Sequence, residues 1–295
     1  MRVRSTVVVL AIVCHASSPA RAQFEDVTID AAHVRGPIYM LTGRGGNIGV
    51  SAGPDGILIV DDQFAPLADK IRAALDKLAK PAGELEFVLN THWHGDHTGS
   101  NPIFGAEASI IAHDNVRQRL MDPPVVPGRR IEPMDPQGLP VITFDHSISL
   151  HFNGETIRVT HLPRGHTDGD SVVFFTGSNV IHLGDHFFAG RFPYVDLDSG
   201  GDVAGLVANV GGLIEALPAD VKIIPGHGGL STLDDLRNYH EMLVATVGIV
   251  RERIAEGRSL DEIKAAGWAS KWQAWGSGFI SGDRWFEIVH RSLTD

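Results

Sequence analysis

The stretch Asn90-Thr91-His92-Trp93-His94-Gly95-Asp96-His97-Thr98-Gly99 gathers three imidazoles and one carboxylate into six positions, directly behind the apolar run Phe87-Val88-Leu89. Such a run reads as a buried strand. A lone histidine is usually structural, but a His-x-His-x-Asp-His turn crowds groups that would repel one another if protonated, so an ordinary polar loop does not account for it. Gly95 and Gly99 leave the backbone free to aim these side chains at one point. Histidine is the commonest metal ligand, and the stretch is therefore expected to be a metal site at a strand end.

Upstream of that turn, short strands are expected at Ile38–Thr42, Ile48–Ser51 and Ile57–Val60, separated by Gly43-Arg44-Gly45-Gly46-Asn47 and Gly53-Pro54-Asp55-Gly56. Both separators are turn chemistry. The glycine-rich one lacks the Lys-Ser/Thr ending of a phosphate loop and reads as a hairpin tip able to lean over a site. Leu67, Ile71, Leu75 and Leu78 then mark one face of an amphipathic helix over 66–78.

Downstream, a strand is expected at Ser109–Ala112 and a helix at Asp114–Met121, followed by a proline-rich segment over 122–140 that reads equally as a lid or a linker. The second half repeats the order of the first, with strands near 141–143, 147–152, 155–160, 171–175 and 179–183, a helix from Val203 to Ala216, and strand Val221–Ile224. Helices from Leu233 to Ala255, from Leu260 and from Arg284 close the chain. Two strand-rich halves that each end in helices predict two sheets packed face to face with helices outside. The tryptophans at 268, 272, 275 and 285 read as packing, with an oligomer contact as the lesser alternative.

Three later groups share the placement of the first cluster: Gly165-His166-Thr167, Leu183-Gly184-Asp185 and Pro225-Gly226-His227-Gly228. Ligands on loops at one edge of a rigid sheet sandwich can meet at a shared point. His186 is expected in the core or at the rim, and His113, His146, His151, His161, His182 and His240 are expected to be structural.

The composition sets outer bounds. The chain has 295 residues, 43% of them hydrophobic and 21% charged, which suits one large domain or two small ones and shows no disorder signature. Arg2 and Arg4, the apolar run Thr6–Cys14, and Ala20-Arg21-Ala22 make a tripartite secretory leader over 1–22, with cleavage expected after Ala22 and a periplasmic or secreted product. That run is too short for a transmembrane anchor, so no stable membrane insertion is expected. Cys14 is the one cysteine, so the mature chain would have neither disulfides nor thiolate ligands. Losing three arginines and no acids takes the formal charge from −11 to −14. Chains this acidic lack the clustered cations that phosphate contacts require, which excludes nucleic acid as a partner.

From Ile57-Leu58-Ile59-Val60-Asp61 through the histidine turn to His166, Asp185 and His227, the chain resembles the metallo-β-lactamase superfamily of metal-dependent hydrolases. The resemblance implies an α+β fold: an αβ/βα four-layer sandwich of two mixed β-sheets with helices on both outer faces, as a single domain over 23–295. It also implies two Zn2+ ions. His92, His94 and His166 would hold one, Asp96, His97 and His227 the other, with Asp185 between them. An aspartate at position 61 in such proteins supports the ligand loop, and Asp61 and Asp62 are taken in that supporting role. The best-known zinc β-lactamases carry cysteine or serine where this chain has Asp185, as most other hydrolases of the superfamily do. A carboxylate can bridge two cations.

The expected activity is hydrolysis of a small acyl substrate (lactone, lactam, ester or thioester) by a hydroxide activated between two metals, with Asp96 as its orienting catalytic carboxylate. Tyr194 is a candidate hydrogen-bond donor to the substrate, with packing as its alternative. Competing readings are a β-lactamase in the strict sense, a persulfide-dioxygenase-type oxidoreductase with one Fe2+, and a binding protein that keeps its metal for structure. The oligomeric state is not fixed by the sequence.

Overall fold

The computed structural model describes residues 23–78, 83–125 and 130–295; the leader expected at 1–22 lies outside them. Seven strands form the first sheet in chain order: β1 (Asp30–Arg35), β2 (Ile38–Thr42), β3 (Ile48–Gly53), β4 (Gly56–Val60), β5 (Leu85–Leu89), β6 (Ser109–His113) and β7 (Ile142–Phe144). The second sheet runs β12-β11-β10-β9-β8, built from β8 (Ser147–Phe152), β9 (Glu155–His161), β10 (Ser171–Phe175), β11 (Val180–His182) and β12 (Lys222–Ile224). Strands β4 to β7 pair in parallel, as do β11 and β12, while the remaining pairs are antiparallel. Both sheets are thus mixed.

Alternation along the buried strands explains the layering. In β4, Ile57 and Ile59 face the cluster beneath helix Ala68–Leu78, whereas Leu58 and Val60 face the cluster between the sheets. In β12, Ile224 joins that same inter-sheet cluster and Ile223 turns outward to the helices of the second half. A period of two therefore gives each strand two apolar faces, which is why these strands read as continuous hydrophobic runs. The result is helix layer, sheet, sheet, helix layer, the four-layer sandwich expected from the resemblance.

Helix Ala68–Leu78 buries Ala68, Ile71, Ala74 and Leu75 at spacings of three and four. On the opposite side, helix Leu233–Ala255 begins with a capping box between Thr232 and Asp235, which satisfies amide donors left over at a helix start. All four C-terminal tryptophans are buried in that layer, and the Trp285 indole N–H donates to Thr246 Oγ1 at 3.0 Å. They are core.

Two expectations are corrected. The halves are not equivalent: the strand near 141–143 appears as β7 and completes the first sheet beside β6, giving seven strands against five. Parallel pairing to a distant strand leaves no mark on the local pattern, so element order alone assigned it to the wrong half. The last helix begins at Gly282, capped by Ser281 Oγ accepting from the Arg284 amide. In the proline-rich segment, Ile131, Met134 and Leu139 pack with Trp93, Ala112, Val116 and Leu120, so its described later part is anchored against the histidine turn.

A candidate metal centre at one edge of both sheets

The loops that carry the site all follow strands running in the same direction. Asp61 follows β4, the histidine turn follows β5, Asp185 follows β11 and His227 follows β12. Strands β2 and β9 run the same way, each lying two antiparallel steps from β4 and β11 respectively. Their ends therefore bring Gly43–Asn47 and the His166 loop to the same edge. Carboxyl ends of strands in open sheets are the usual place for such a site.

Seven side chains converge there. His92, His94, His166 and Asp185 form one group whose ligand atoms lie within 4.8 Å of one another, and Asp96, His97 and His227 form a second. The turn itself contains a single helical turn, Gly95–Thr98, and Asp185 sits on a 3-10 turn, Gly184–His186, beyond the end of β11. The strand does not continue through His186, whose buried ring instead lies near Asp170 and Asn209. The other six histidines set aside as structural join neither group. His113 and His161 stack on each other with ring centroids 3.7 Å apart.

Hydrogen bonds on the outer side of the rings determine where their lone pairs point. Thr91 Oγ1 donates to Asp61 Oδ2 at 2.7 Å, so toward His92 Nδ1, 3.0 Å away, its oxygen acts as acceptor. His97 Nδ1 donates to Asp61 Oδ2 at 2.7 Å, His166 Nδ1 donates to the Tyr194 carbonyl at 2.7 Å, and His94 Nε2 donates to Asp196 Oδ2 at 2.9 Å. Each ring donates outward, which leaves His92 Nε2, His94 Nδ1 and His166 Nε2 as inward lone pairs and turns His97 Nε2 toward the same centre.

The inward nitrogens meet in close pairs. His94 Nδ1 and His166 Nε2 are 2.8 Å apart, and His97 Nε2 is 3.4 Å from His227 Nε2. His92 Nε2 and Asp185 Oδ1 are buried with no hydrogen-bond partner. Facing lone pairs and orphaned buried acceptors are costly in an apolar interior unless a cation sits among them. The donor set, imidazole nitrogens plus carboxylate oxygens, is what zinc takes. The residues present fit a metal.

Electrostatics follow from this crowding. Burial, reinforced by the charge of His97, drives His92 well below its ordinary pKa, and burial brings His166 down to about 4. Burial alone would raise Asp185, yet the imidazoles packed around it, His227 and His97 foremost, hold it well below the usual carboxylate range. Burial would likewise lower His97, but Asp185, Asp61 and Asp96 together raise it. Burial thus favours neutral His92 and His166, while the carboxylates around His97 favour its charged form.

Asp61 and Asp62 are both fully buried. Asp61 sits at φ 66°, a left-handed conformation uncommon for a non-glycine residue, and its carboxylate holds the Thr91 amide, the Thr91 hydroxyl and His97. Asp62 instead accepts from the Ser100 amide at 2.9 Å and bonds the His97 carbonyl only through its backbone amide. The Tyr194 ring lies 5.8 Å from both His94 and His166. Its hydroxyl is pushed up to about 12, first by burial and then by Asp196, and so keeps its proton.

The tip Gly43–Asn47 does lie over the site. A Cβ on Gly46 would come within 2.1 Å of the His97 ring, so only glycine fits there. Gly46 N donates to the Asp96 carbonyl, Asn47 N to the Gly226 carbonyl, and Asn47 Nδ2 to the carbonyls of Pro225 and Gly228. The tip is thus fastened to both sheets. Asp196, Thr91 and Asp170 were not singled out from sequence; Asp170 holds the Thr167 amide at 2.8 Å beside His166, and burial raises it to about 8. For Asp196 there was a signal: a carboxylate between Val195 and Leu197 is costly to bury unless something pairs with it.

Comparison with known proteins agrees with this geometry. The chain belongs to the metallo-β-lactamase superfamily, whose family model matches residues 41–227. Among curated proteins, a lactamase-like protein nscB of Arthroderma benhamiae is 28% identical over 193 residues, covering 62% of this chain and 40% of that protein. A hydroxyacylglutathione hydrolase of Synechococcus sp. is 29% identical over 117 residues, covering 39% of this chain and 40% of that one. The chain thus spans well under two thirds of these relatives. Among solved structures, the DIM-1 metallo-β-lactamase aligns with a TM-score of 0.61 at 18% identity, over 75% of this chain and all of that one. A double mutant of the sec-alkyl sulfatase PisA1 aligns at 0.68 and 14% identity, over 93% of this chain and 51% of its own. At these identities the likeness is one of fold.

Proposed function

We propose that the protein is a zinc-dependent hydrolase of small acyl substrates, whose two ligand groups would each hold a metal ion with Asp185 between them. One observation carries this reading. The two carboxylate oxygens of Asp185 face different ligand groups: Oδ2 is 3.4 Å from His166 Nε2 and 3.8 Å from His92 Nε2, while Oδ1 is 3.3 Å from His97 Nε2 and 3.4 Å from His227 Nε2. A carboxylate set between two clusters of inward-facing ring nitrogens suits a bridge. Zinc held by these residues would supply Lewis acidity toward an acyl oxygen and lower the pKa of a water toward ~7.

The chain's own residues do the rest. Asp96, with a side chain 27% exposed and Oδ2 3.5 Å from His227 Nε2, is the carboxylate that solvent reaches. It would orient the attacking water and hold its proton. The Tyr194 hydroxyl would donate toward the substrate oxygen. Phe188, stacked on His227 with centroids 5.0 Å apart, would give the acyl group an apolar wall. A one-iron oxidoreductase leaves the complete second group without a purpose, and a structural metal needs one closed set of four protein ligands, whereas here a second group of three includes the part-exposed carboxylate of Asp96.

The lactamase-like and hydroxyacylglutathione hydrolase relatives frame the substrate class. A lactone, a thioester such as lactoylglutathione and the β-lactam nitrocefin, each assayed with zinc and with a chelator, test it. Zinc-dependent turnover of the lactone or thioester is expected, with weaker activity on nitrocefin. Loss of all three in zinc-loaded protein would contradict the proposal. We further propose export with cleavage after Ala22, checked by the N-terminal sequence of the secreted chain. No helix among the described residues is long and apolar enough to cross a membrane.

A further inference from the structure

The segment Tyr194–Gly201 touches the more buried ligand group at three points. The Tyr194 carbonyl accepts from His166 Nδ1, Asp196 Oδ2 accepts from His94 Nε2, and the Asp196 amide donates to the His166 carbonyl at 2.9 Å. The segment is itself pinned: the Asp196 carbonyl accepts from the amides of Ser199 and Gly201 at 3.1 and 2.9 Å. Gly201 packs so closely that a Cβ there would come within 2.4 Å of the His166 carbonyl oxygen. Asp196 belongs to neither ligand group, yet its side chain is only 9% exposed. A carboxylate is costly to bury this far unless its charge serves a partner, and the partner in reach is His94.

We propose that Asp196 is the positioning residue of His94, holding the ring as the Nε2–H tautomer so that Nδ1 is turned toward His166 Nε2 before any cation arrives. This rests on reading the site as a metal centre. A carboxylate behind a ligating imidazole fixes its tautomer and ring plane and makes the inward nitrogen more basic. With His166 held by a backbone carbonyl and His92 by Thr91 Oγ1, Asp196 places the one formal charge that lies directly behind a histidine of this group. His94 is also the most exposed of the three, at 16% against 1% and 0%, so it depends most on an outer partner to hold its orientation.

Asp196→Asn is the sharpest variant, because an amide of the same shape can accept from Nε2–H or donate to a bare Nε2 and so loses the preference for one tautomer. Metal-free wild-type protein should show His94 protonated at Nε2 in nitrogen-15 NMR, and Asp196→Asn should show a tautomer mixture. Zinc competition against a chromophoric chelator should find affinity lowered several-fold in Asp196→Asn and roughly 10- to 100-fold in Asp196→Ala. Asp198→Ala breaks the exposed ion pair between the same segment and Arg291 and should leave zinc affinity unchanged. Should Asp196→Ala fail to fold, Asp196→Asn decides alone. Wild-type zinc affinity and an unaltered His94 spectrum in Asp196→Asn would overturn the proposal. Neither readout uses turnover, so inactivity on the substrate panel would leave this result standing.

Discussion

The two ligand groups on either side of Asp185 differ in depth and in support. In the deeper group, His92 and His166 are buried, and the outer nitrogen of every histidine is occupied, by Thr91, Asp196 and the Tyr194 carbonyl. In the shallower one, His97 alone has such a partner, Asp61, while His227 and Asp96 are 19% and 27% exposed. The deeper group is preorganised by hydrogen bonds that exist without a ligand. The shallower group opens to solvent. Structure built for holding and structure built for access meet at one shared carboxylate.

That contrast can be broken most severely at its centre. Asp185→Ala removes the carboxylate that faces both groups, and the turnover number should fall by about 10³-fold or more, with metal content dropping below that of the wild type by elemental analysis. Asp96→Ala touches only the open side: turnover should fall on the order of 10²-fold while zinc in the deeper group is retained. Wild-type rates in zinc-loaded Asp96→Ala would remove that residue from the mechanism. Asp61→Ala takes away the one outer partner of the shallower group. It should weaken the second zinc by roughly 10- to 100-fold and, by leaving the buried Thr91 amide and hydroxyl unpaired, cost about 1–3 kcal/mol in urea unfolding. Phe188→Ala should act least, raising KM a few-fold through the lost apolar wall.

Acidity sharpens the same comparison. Burial lowers His92, takes His166 to about 4 and takes His186 to about 3. Between the ordinary histidine value of 6.5 and about 4, the unfolded chain binds protons that these folded histidines refuse, so stability is lost as the pH falls through that window. Asp62 and Asp170 are raised by burial and push the other way, since their folded forms keep protons that the unfolded chain releases. The lowered histidines outnumber them below 6.5. Above it, the aspartates and the raised His97 make stability decline toward about 8. Metal-free protein should therefore melt highest near pH ~6.5, and a melting temperature that rises steadily toward pH 4 would contradict the burial assigned to these histidines.

The sequence made the ligands legible and their supports obscure, for a physical reason. His92, His94, Asp96 and His97 sit in one turn, and strand periodicity located most of the sheets, because both signals are local. Asp196 lies 102 positions from His94, and the Tyr194 carbonyl that holds His166 is a backbone atom carrying no residue signature. Whether β7 pairs with β6 or with β8 is likewise settled by tertiary packing rather than by its three residues. The place expected for Asp185 between the two groups came from family resemblance, and the separate facing of its two oxygens is visible only in three dimensions. Gly46 shows the same limit: the sequence marked a flexible tip, whereas contact with His97 is what requires glycine there.

On the proposed reading, Asp185 joins two metal sites. Elemental analysis of purified wild-type protein and Asp185→Ala, paired with zinc titration of the metal-free forms, tests it most directly. Two zinc ions per wild-type chain are expected, bound in a tight and a weaker step, with the weaker step lost in Asp185→Ala. One iron per chain with no second binding step, in protein that consumes oxygen with a persulfide, would contradict it.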